Sequence, residues 1–143
     1  MSEGTPYFDL DPDKLSQEPG RFVDVDSDTP RVEFAAGLSF RPVLGENVMT
    51  SFVSFEPHTE APRHAHDEEQ ITIVLEGELE FDVGGETRIL TKGQLAIVPP
   101  NVPHGARTHD SACLEVDVFT PPRQALLALM HERAPSPPGG GTS

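Results

Sequence analysis

Short apolar runs, each ended by a turn signal, recur along the chain from residue 31 to residue 119. Residues 78–83 alternate polar and apolar side chains, which is the period of a strand with one wet face and one buried face. Gly84 and Gly85 follow as a hairpin turn, and residues 86–90 form the returning strand. Further runs predict strands at residues 48–55, 71–75, 95–98 and 113–119. Many short strands joined by tight turns predict an all-β sandwich or small barrel.

The pattern changes to a helical period near the end of the chain. Two prolines stand at the start of this segment, and Leu126, Leu129 and Met130 share one face of the predicted helix. We expect a short C-terminal helix within residues 121–133. Residues 134–143 are rich in Pro and Gly, cannot pack a core, and are expected to form a disordered tail.

The segment before the strands is acidic and poor in apolar residues. Residues 1–33 hold nine acidic side chains against three basic ones, so residues 1–30 are expected to stay solvated. Within this segment Asp11 precedes Pro12, which favours a short helical turn over residues 11–16.

Composition narrows the class of partner. The 143 residues are the size of one domain, and 24 acidic against 10 basic residues give a net charge of −14. This charge argues against nucleic acid or an anionic membrane as a partner. No apolar run approaches the roughly 18 residues of a membrane span, and we see no signal peptide. Cys113 is the only cysteine, so no internal disulfide is possible and a cytoplasmic location is expected.

The spacing of the histidines is the strongest chemical signal in the sequence. His64 and His66 stand two residues apart, so on an extended segment both side chains leave the same face, as a metal ion requires. Gln70 follows His66 at the start of the next strand, and His104 lies far downstream, beyond a proline-rich loop. Taken alone, the first pair leaves two interpretations open: a metal site or two surface histidines. His58, His109 and His131 are interpreted as exposed or structural.

Two stretches of sequence resemble the two motifs of the cupin superfamily. The first stretch is His64-Ala65-His66-Asp67-Glu68-Glu69-Gln70, followed after six residues by Gly77. The second runs from Gly93 through five residues to Pro99, and then to Asn101 and His104. The resemblance implies a double-stranded β-helix, or jelly-roll, barrel over residues 31–120 that usually assembles as a homodimer.

The same resemblance implies one divalent metal ion per chain, held by His64, His66, Gln70 and His104. Gln70 occupies the position that usually holds Glu, and its neighbour Glu69 is the rival ligand. The count of six residues to Gly77 favours Gln70, because a shift of one residue on a strand points the side chain to the other face.

Three other positions depart from the motifs. His58 stands where the first motif usually opens with Gly, and Thr108 replaces a common Asn. Asn101 also replaces a Gly, which is a mild change because Asn tolerates a left-handed backbone.

The ligand set implied by the resemblance suggests a type of chemistry. Three imidazoles and a neutral amide leave the metal ion its full double charge, which favours Lewis-acid chemistry over redox chemistry. The set does not select among Zn, Ni, Fe, Mn and Cu.

A second group of residues lies downstream. Asp117 and Phe119 have equal parity on one strand, and Arg123 follows at the corner between strand and helix. The spacing alone favours a structural Asp–Arg pair beside a core Phe over a pocket for an oxygen anion. The run resembles the strand end of small single-domain cupins that linearise 4,5-unsaturated uronates from pectin and alginate. In those cupins the matching residues line the metal pocket, although the acidic residues often found after the Arg are Gln124 and Ala125 here.

An inward acid, aromatic ring and guanidinium near a metal ion would form an oxygen-anion pocket with a proton carrier. We therefore expect Asp117 to be the catalytic residue and Phe119 and Arg123 to bind the substrate. We expect Asp117 to be ionised at neutral pH, since two positive neighbours, Arg123 and the metal ion, should outweigh burial. Similar small cupins are polyketide cyclases and tailoring enzymes of natural-product pathways.

The sequence therefore predicts a metal-dependent lyase, isomerase or cyclase. Its expected partner is a small oxygen-rich carbonyl or carboxylate substrate, either a sugar acid or a natural-product intermediate. An Fe(II) dioxygenase and a non-catalytic ligand-binding cupin are the two alternatives.

Overall fold

The protein is described by a computed structural model that covers residues 6–133. Its strands are β1 (Val32–Ala35), β2 (Leu38–Leu44), β3 (Met49–Phe55), β4 (Glu60–His64), β5 (Glu69–Gly77), β6 (Leu79–Val83), β7 (Glu86–Leu90), β8 (Leu95–Val98), β9 (His104–Arg107) and β10 (Cys113–Thr120). The helices are α1 (Val25–Asp28) and α2 (Gln124–Arg133), with 3-10 turns at Pro6–Phe8 and Pro12–Lys14.

The strands form two antiparallel sheets. The larger sheet has the order β1-β2-β3-β10-β5-β8, and the smaller has the order β4-β9-β6-β7. Strand β10 lies between β3 and β5, so that Asp117 is in register with Ser51 on one side and with Thr72 on the other. This arrangement is the all-β jelly-roll barrel that the sequence predicts, with the short C-terminal helix α2.

The hydrophobic core draws on both sheets. Phe40 and Val74 of the larger sheet and Leu79 and Phe81 of the smaller one belong to a single buried cluster. Helix α2 adds Leu126 to this cluster, which fixes the helix against the barrel. None of the helices between residues 6 and 133 is long and apolar enough to cross a membrane.

Several local predictions are confirmed. Strands β6 and β7 pair across the Gly84-Gly85 turn, with Val83 opposite Glu86. The carboxylate of Asp11 accepts a hydrogen bond of 3.0 Å from the Asp13 N–H and caps the 3-10 turn that follows. The predicted tail, residues 134–143, lies outside the described residues.

Other elements differ from the sequence prediction. Helix α2 begins at Gln124, after the two prolines, and the carbonyl of Arg123 accepts the first backbone hydrogen bonds. Strands β4 and β9 carry too few apolar residues to show alternation, and a bulge interrupts their pairing. Helix α1 was not predicted, because four residues capped by Asp24 give no periodic signal.

The structure explains the residues found at the three positions that depart from the motifs. His58 (φ 55°) and Asn101 (φ 64°) are the non-glycine residues of the described chain that adopt positive φ, and both replace glycine. The Thr108 hydroxyl accepts a hydrogen bond of 3.0 Å from the Thr59 N–H and donates one of 2.6 Å to the carbonyl of Glu56. It thus ties β9 to the start of β4.

The two motif glycines provide a matched test of packing. Gly77 (φ +81°) and Gly93 (φ +84°) share a left-handed backbone, but a Cβ on Gly77 would overlap the carbonyl oxygen of Ala112, whereas a Cβ on Gly93 would meet nothing within 4 Å. Gly93→Ala should cost about 1–2 kcal/mol from backbone strain alone. Gly77→Ala should lower the free energy of unfolding by a further 1–3 kcal/mol or so. Urea denaturation measures both, and equal losses would contradict this account.

Candidate metal centre

Three histidines from two strands and a loop meet on one side of the barrel interior. His64 ends β4 and lies directly opposite His104, which begins β9, and His66 follows in the loop after β4. The ring centroids of His64 and His104 are 4.3 Å apart, and those of His66 and His104 are 4.9 Å apart. One nitrogen from each ring lies within 4.8 Å of the others. The three rings could therefore hold a metal ion.

Backbone carbonyls fix the orientation of the rings. Each Nδ1 lies within hydrogen-bond distance of a carbonyl oxygen two residues away, at 2.8 Å for His64 and Pro62, 2.9 Å for His104 and Val102, and 3.1 Å for His66 and Glu68. A carbonyl only accepts, so each neutral ring carries its proton on Nδ1 and its lone pair on Nε2. This is the arrangement in which an imidazole binds a metal.

Burial keeps two of the rings neutral. It lowers the pKa of His104 to about 4, and it also lowers the pKa of His66, with the positive charge of Arg123 as the second cause. His104 Nε2 is buried and has no hydrogen-bond partner among the described residues. Because an unpartnered buried nitrogen is costly, this lone pair fits a metal ion.

Gln70, rather than Glu69, faces the histidines. Gln70 is buried on β5, and its Oε1 lies 3.0 Å from His66 Nε2, whereas Glu69 is exposed. The amide nitrogen of Gln70 donates to the Thr72 hydroxyl (2.8 Å) and to Asp117 Oδ1 (3.3 Å), which turns the amide oxygen toward His66. Two atoms that both accept thus face each other, and a cation between them would satisfy both.

Asp117 belongs to the same polar network. Its Oδ1 also accepts a hydrogen bond of 2.7 Å from the Thr72 hydroxyl. The expectation that Asp117 is ionised rests on Arg123 and a bound metal ion together, and it stays a prediction. Burial is the largest effect and raises the pKa of Asp117, although hydrogen bonds from Glu115 and Thr72 and the charge of Arg123 act in the opposite direction.

Arg123 and Phe119 pack beside the histidines. The Arg123 guanidinium carbon lies 5.7 Å from the Phe119 ring centroid, and that ring makes an edge contact with His66 at a centroid distance of 5.7 Å. Within residues 6–133 Arg123 lies in ion-pair range of Glu68 (4.0 Å) and not of Asp117. The alternative of a structural Asp–Arg pair is therefore not what the structure shows.

A cavity with about 510 Å³ of empty space, its open mouth included, lies beside these residues. His64, Gln70, His104, Asp117 and Arg123 contribute polar groups to its wall.

Two acidic residues near the site were not predicted from the sequence. Glu115 lines the cavity, and Glu68 lies 3.4 Å from His66 Nδ1. Glu115 has the same parity on β10 as Asp117 and Phe119, and that signal could have identified it. Glu68 lies in a loop, where no periodicity applies.

The remaining histidines lie apart from this group. His109 Nε2 is 3.0 Å from Glu80 Oε1, and His58 Nε2 is 3.3 Å from Asp110 Oδ1. His131 is exposed on the last turn of α2. These positions agree with their interpretation as exposed or structural residues.

Comparison with known proteins gives related sequences. The chain is 41% identical over 118 residues to the H2HPP isomerase of Bacillus subtilis, which covers 73% of this chain and 49% of that protein. The chain thus spans about half the length of this relative. It is 29% identical over 105 residues to the pectin degradation protein KdgF of Dickeya dadantii (strain 3937), covering 72% of this chain and 96% of that protein.

Solved structures share the fold. An RmlC-like cupin from Shewanella frigidimarina NCIMB 400 superposes with a TM-score of 0.70 and 28% identity over 78% of this chain and 99% of its own. The polyketide cyclase RemF of Streptomyces resistomycificus has a TM-score of 0.62 at 20% identity, covering 71% of this chain and 80% of its own, and so shows likeness of fold alone.

The family assignment follows from sequence and fold together. Residues 51–119 match the family described as Cupin_2, the cupin domain. They contain both sequence motifs, the three histidines and the strands β4–β9. The chain therefore belongs to the cupin superfamily.

Proposed function

We propose that this cupin is a metal-dependent enzyme that rearranges a small, oxygen-rich carbonyl or carboxylate substrate without redox change, as a lyase, isomerase or cyclase. The observation that carries the proposal is the composition of the site. Three imidazoles and the Gln70 amide meet without a carboxylate among them, beside a cavity that also holds Asp117 and Arg123.

One divalent ion per chain is assigned to His64, His66, Gln70 and His104. When bound, such an ion supplies Lewis-acid polarisation of a carbonyl or hydroxyl oxygen. The neutral donor set leaves its charge undiminished, which supports non-redox chemistry over the dioxygenase alternative. The donor set does not select the metal.

The chain's own residues supply the rest of the chemistry. Arg123 is held against Phe119, and its Nε is buried without a hydrogen-bond partner in residues 6–133. Its planar fork suits a substrate carboxylate. Thr72 and Gln70 hold Oδ1 of Asp117, so its carboxyl group is oriented to take or return a proton on the substrate. Phe119 is 1% exposed and acts through its contact with Arg123 and His66.

The names of the relatives support this class of activity, since one is called an isomerase and the other a pectin degradation protein. Homodimer formation and a cytoplasmic location stay predictions from the sequence.

The central test is conversion without oxygen. Metal-loaded protein should convert H2HPP, the compound named in the Bacillus subtilis relative, or a 4,5-unsaturated uronate under nitrogen, followed by ¹H NMR. Asp117→Asn keeps the shape of the side chain and should lower the rate by about 10²–10⁴ with metal retained. Conversion that requires and consumes oxygen would establish the dioxygenase alternative. Binding of both compounds without conversion would establish a ligand-binding cupin.

Removing either paired histidine should remove the metal. We expect His64→Ala and His104→Ala each to lose most bound divalent ion while the barrel stays folded, because both rings project from strand positions into the cavity. His131→Ala, on α2, is the matched control and should retain the metal. The measurement is metal content per chain by elemental analysis, with circular dichroism for the fold. Full metal content in both test variants would refute the site.

The charge of the fourth ligand should control activity. Gln70→Glu should keep the metal, or bind it more tightly, but should lower turnover, because an anionic ligand makes the ion less positive. The new carboxylate would also replace the amide N–H that now lies 3.3 Å from Asp117 Oδ1. Glu69→Gln, on the exposed face of the same strand, should change neither property. Unchanged turnover in Gln70→Glu would argue against Lewis-acid chemistry.

A further inference from the structure

Four buried side-chain atoms of the described residues have no hydrogen-bond partner, and all four belong to residues that line the same cavity. They are Ser51 Oγ, His104 Nε2, Glu115 Oε1 and Arg123 Nε. Buried polar atoms are nearly always paired, so a set confined to one cavity indicates partners that the ligands supply. The proposed function accounts for His104 and Arg123, and it leaves Ser51 and Glu115 unexplained.

Ser51 and Glu115 lie on neighbouring strands and face the cavity together. Asp117 of β10 is directly opposite Ser51 of β3, and Glu115 stands two residues before Asp117 on the same face. Ser51 and Glu115 are thus diagonal neighbours, about 7–8 Å apart in the backbone. Their exposed fractions are 1% and 2%. Together they form a polar pair on the wall of the cavity.

No cation of the described chain neutralises Glu115. It forms no ion pair with any Lys, Arg or His of residues 6–133. Burial and the neighbouring carboxyl group of Asp117 raise its pKa well above the usual range. A buried carboxyl group with a free oxygen is costly for folding, whereas a hydroxyl group of a ligand could pair with it in either protonation state.

Glu115 lies farther along β10 from Arg123 than Asp117 does, and Ser51 is level with Asp117. Along β10, Glu115 and Phe119 are four residues apart, or roughly 13 Å, and Arg123 packs against Phe119. Around Glu115 the wall is apolar, because Val53 lies directly opposite Glu115 and the paired residues Phe55 and Leu38 lie two residues beyond it. A substrate with hydroxyl groups on every carbon would leave them unpaired against this wall.

We propose that Glu115 and Ser51 form a hydroxyl-binding subsite on the wall of the cavity. The substrate is then an amphipathic acid whose anionic group binds Arg123 and whose apolar part carries a hydroxyl group that pairs with Glu115 and Ser51. The inference rests on the proposed function for the anion at Arg123. It goes beyond that function in assigning Glu115 and Ser51 as specificity-determining residues and in favouring an apolar body over a polyhydroxylated sugar acid.

The test uses two probes that differ by one hydroxyl group, 3-(4-hydroxyphenyl)propanoate and 3-phenylpropanoate. Calorimetric titration of the zinc-loaded chain should show the hydroxylated probe bound about 10-fold tighter, the range of one hydrogen bond to a buried polar group. Glu115→Leu should reduce this preference to about one while changing the affinity for 3-phenylpropanoate by less than about two-fold. Ser51→Ala should reduce the preference in part.

Controls separate a specificity role from a structural one. Glu115→Leu removes a buried carboxyl group that has one unpaired oxygen, together with its hydrogen bond to Asp117, and keeps a similar volume, so the variant should stay folded in urea denaturation at the denaturant concentrations at which the parent does. Glu76→Gln, an exposed acid on β5, should leave the preference intact. Arg123→Ala should lower the affinity for both probes by the same factor.

The outcomes distinguish this inference from the proposed function. Three results would overturn the hydroxyl subsite. The parent chain could bind the two probes with equal affinity, or it could bind neither. Glu115→Leu could also lose affinity for both probes by the same factor. Conversion of a substrate under nitrogen would still support the proposed function in each of those cases. Loss of the hydroxyl preference alone in Glu115→Leu would support the subsite.

Discussion

The pairing of β10 between β3 and β5 is the constraint on which the rest of the site depends. It places Glu115, Asp117 and Phe119 on one face of a strand that is hydrogen-bonded on both sides. The same register brings Thr72 and Gln70 of β5 beside Asp117, so one ladder orients the acid, the amide and the hydroxyl that joins them. A strand paired on both edges cannot slip without turning all these side chains away from the cavity.

Burial acts in opposite directions on the two kinds of titratable group at this site. It lowers the pKa of His66 and His104 and raises the pKa of Glu115 and Asp117, because in every case it disfavours the charged form. Neutral imidazoles are the form that binds a metal. The low-polarity surroundings that make the acids costly therefore also keep the histidines available, and they strengthen every electrostatic interaction with a ligand.

Much of the fold could be predicted because its signals are local. The alternation over residues 78–83 and the two glycines after it specify a hairpin, and Asp11 before Pro12 specifies a capped turn. Strands β4 and β9 could not be predicted from alternation, since they carry functional and polar side chains in place of an apolar face. Glu115 shares the strand face of Asp117 and Phe119, but it belongs to neither sequence motif. Its role can be inferred only when the side chains packed around it are known.

The sequence by itself determined the barrel, the choice of His64, His66, Gln70 and His104 as candidate ligands, and the common face of Asp117 and Phe119. The barrel and the ligand set follow from the resemblance of two stretches to the cupin motifs, and the common face follows from the two-residue period of a strand. Only the tertiary structure decided that Arg123 lies beside Glu68 instead of Asp117, that burial raises the pKa of Asp117, and that Ser51 and Glu115 share a cavity with the histidines. Burial and charge pairing are set by side chains that are distant in sequence, and no local pattern records which of them will meet.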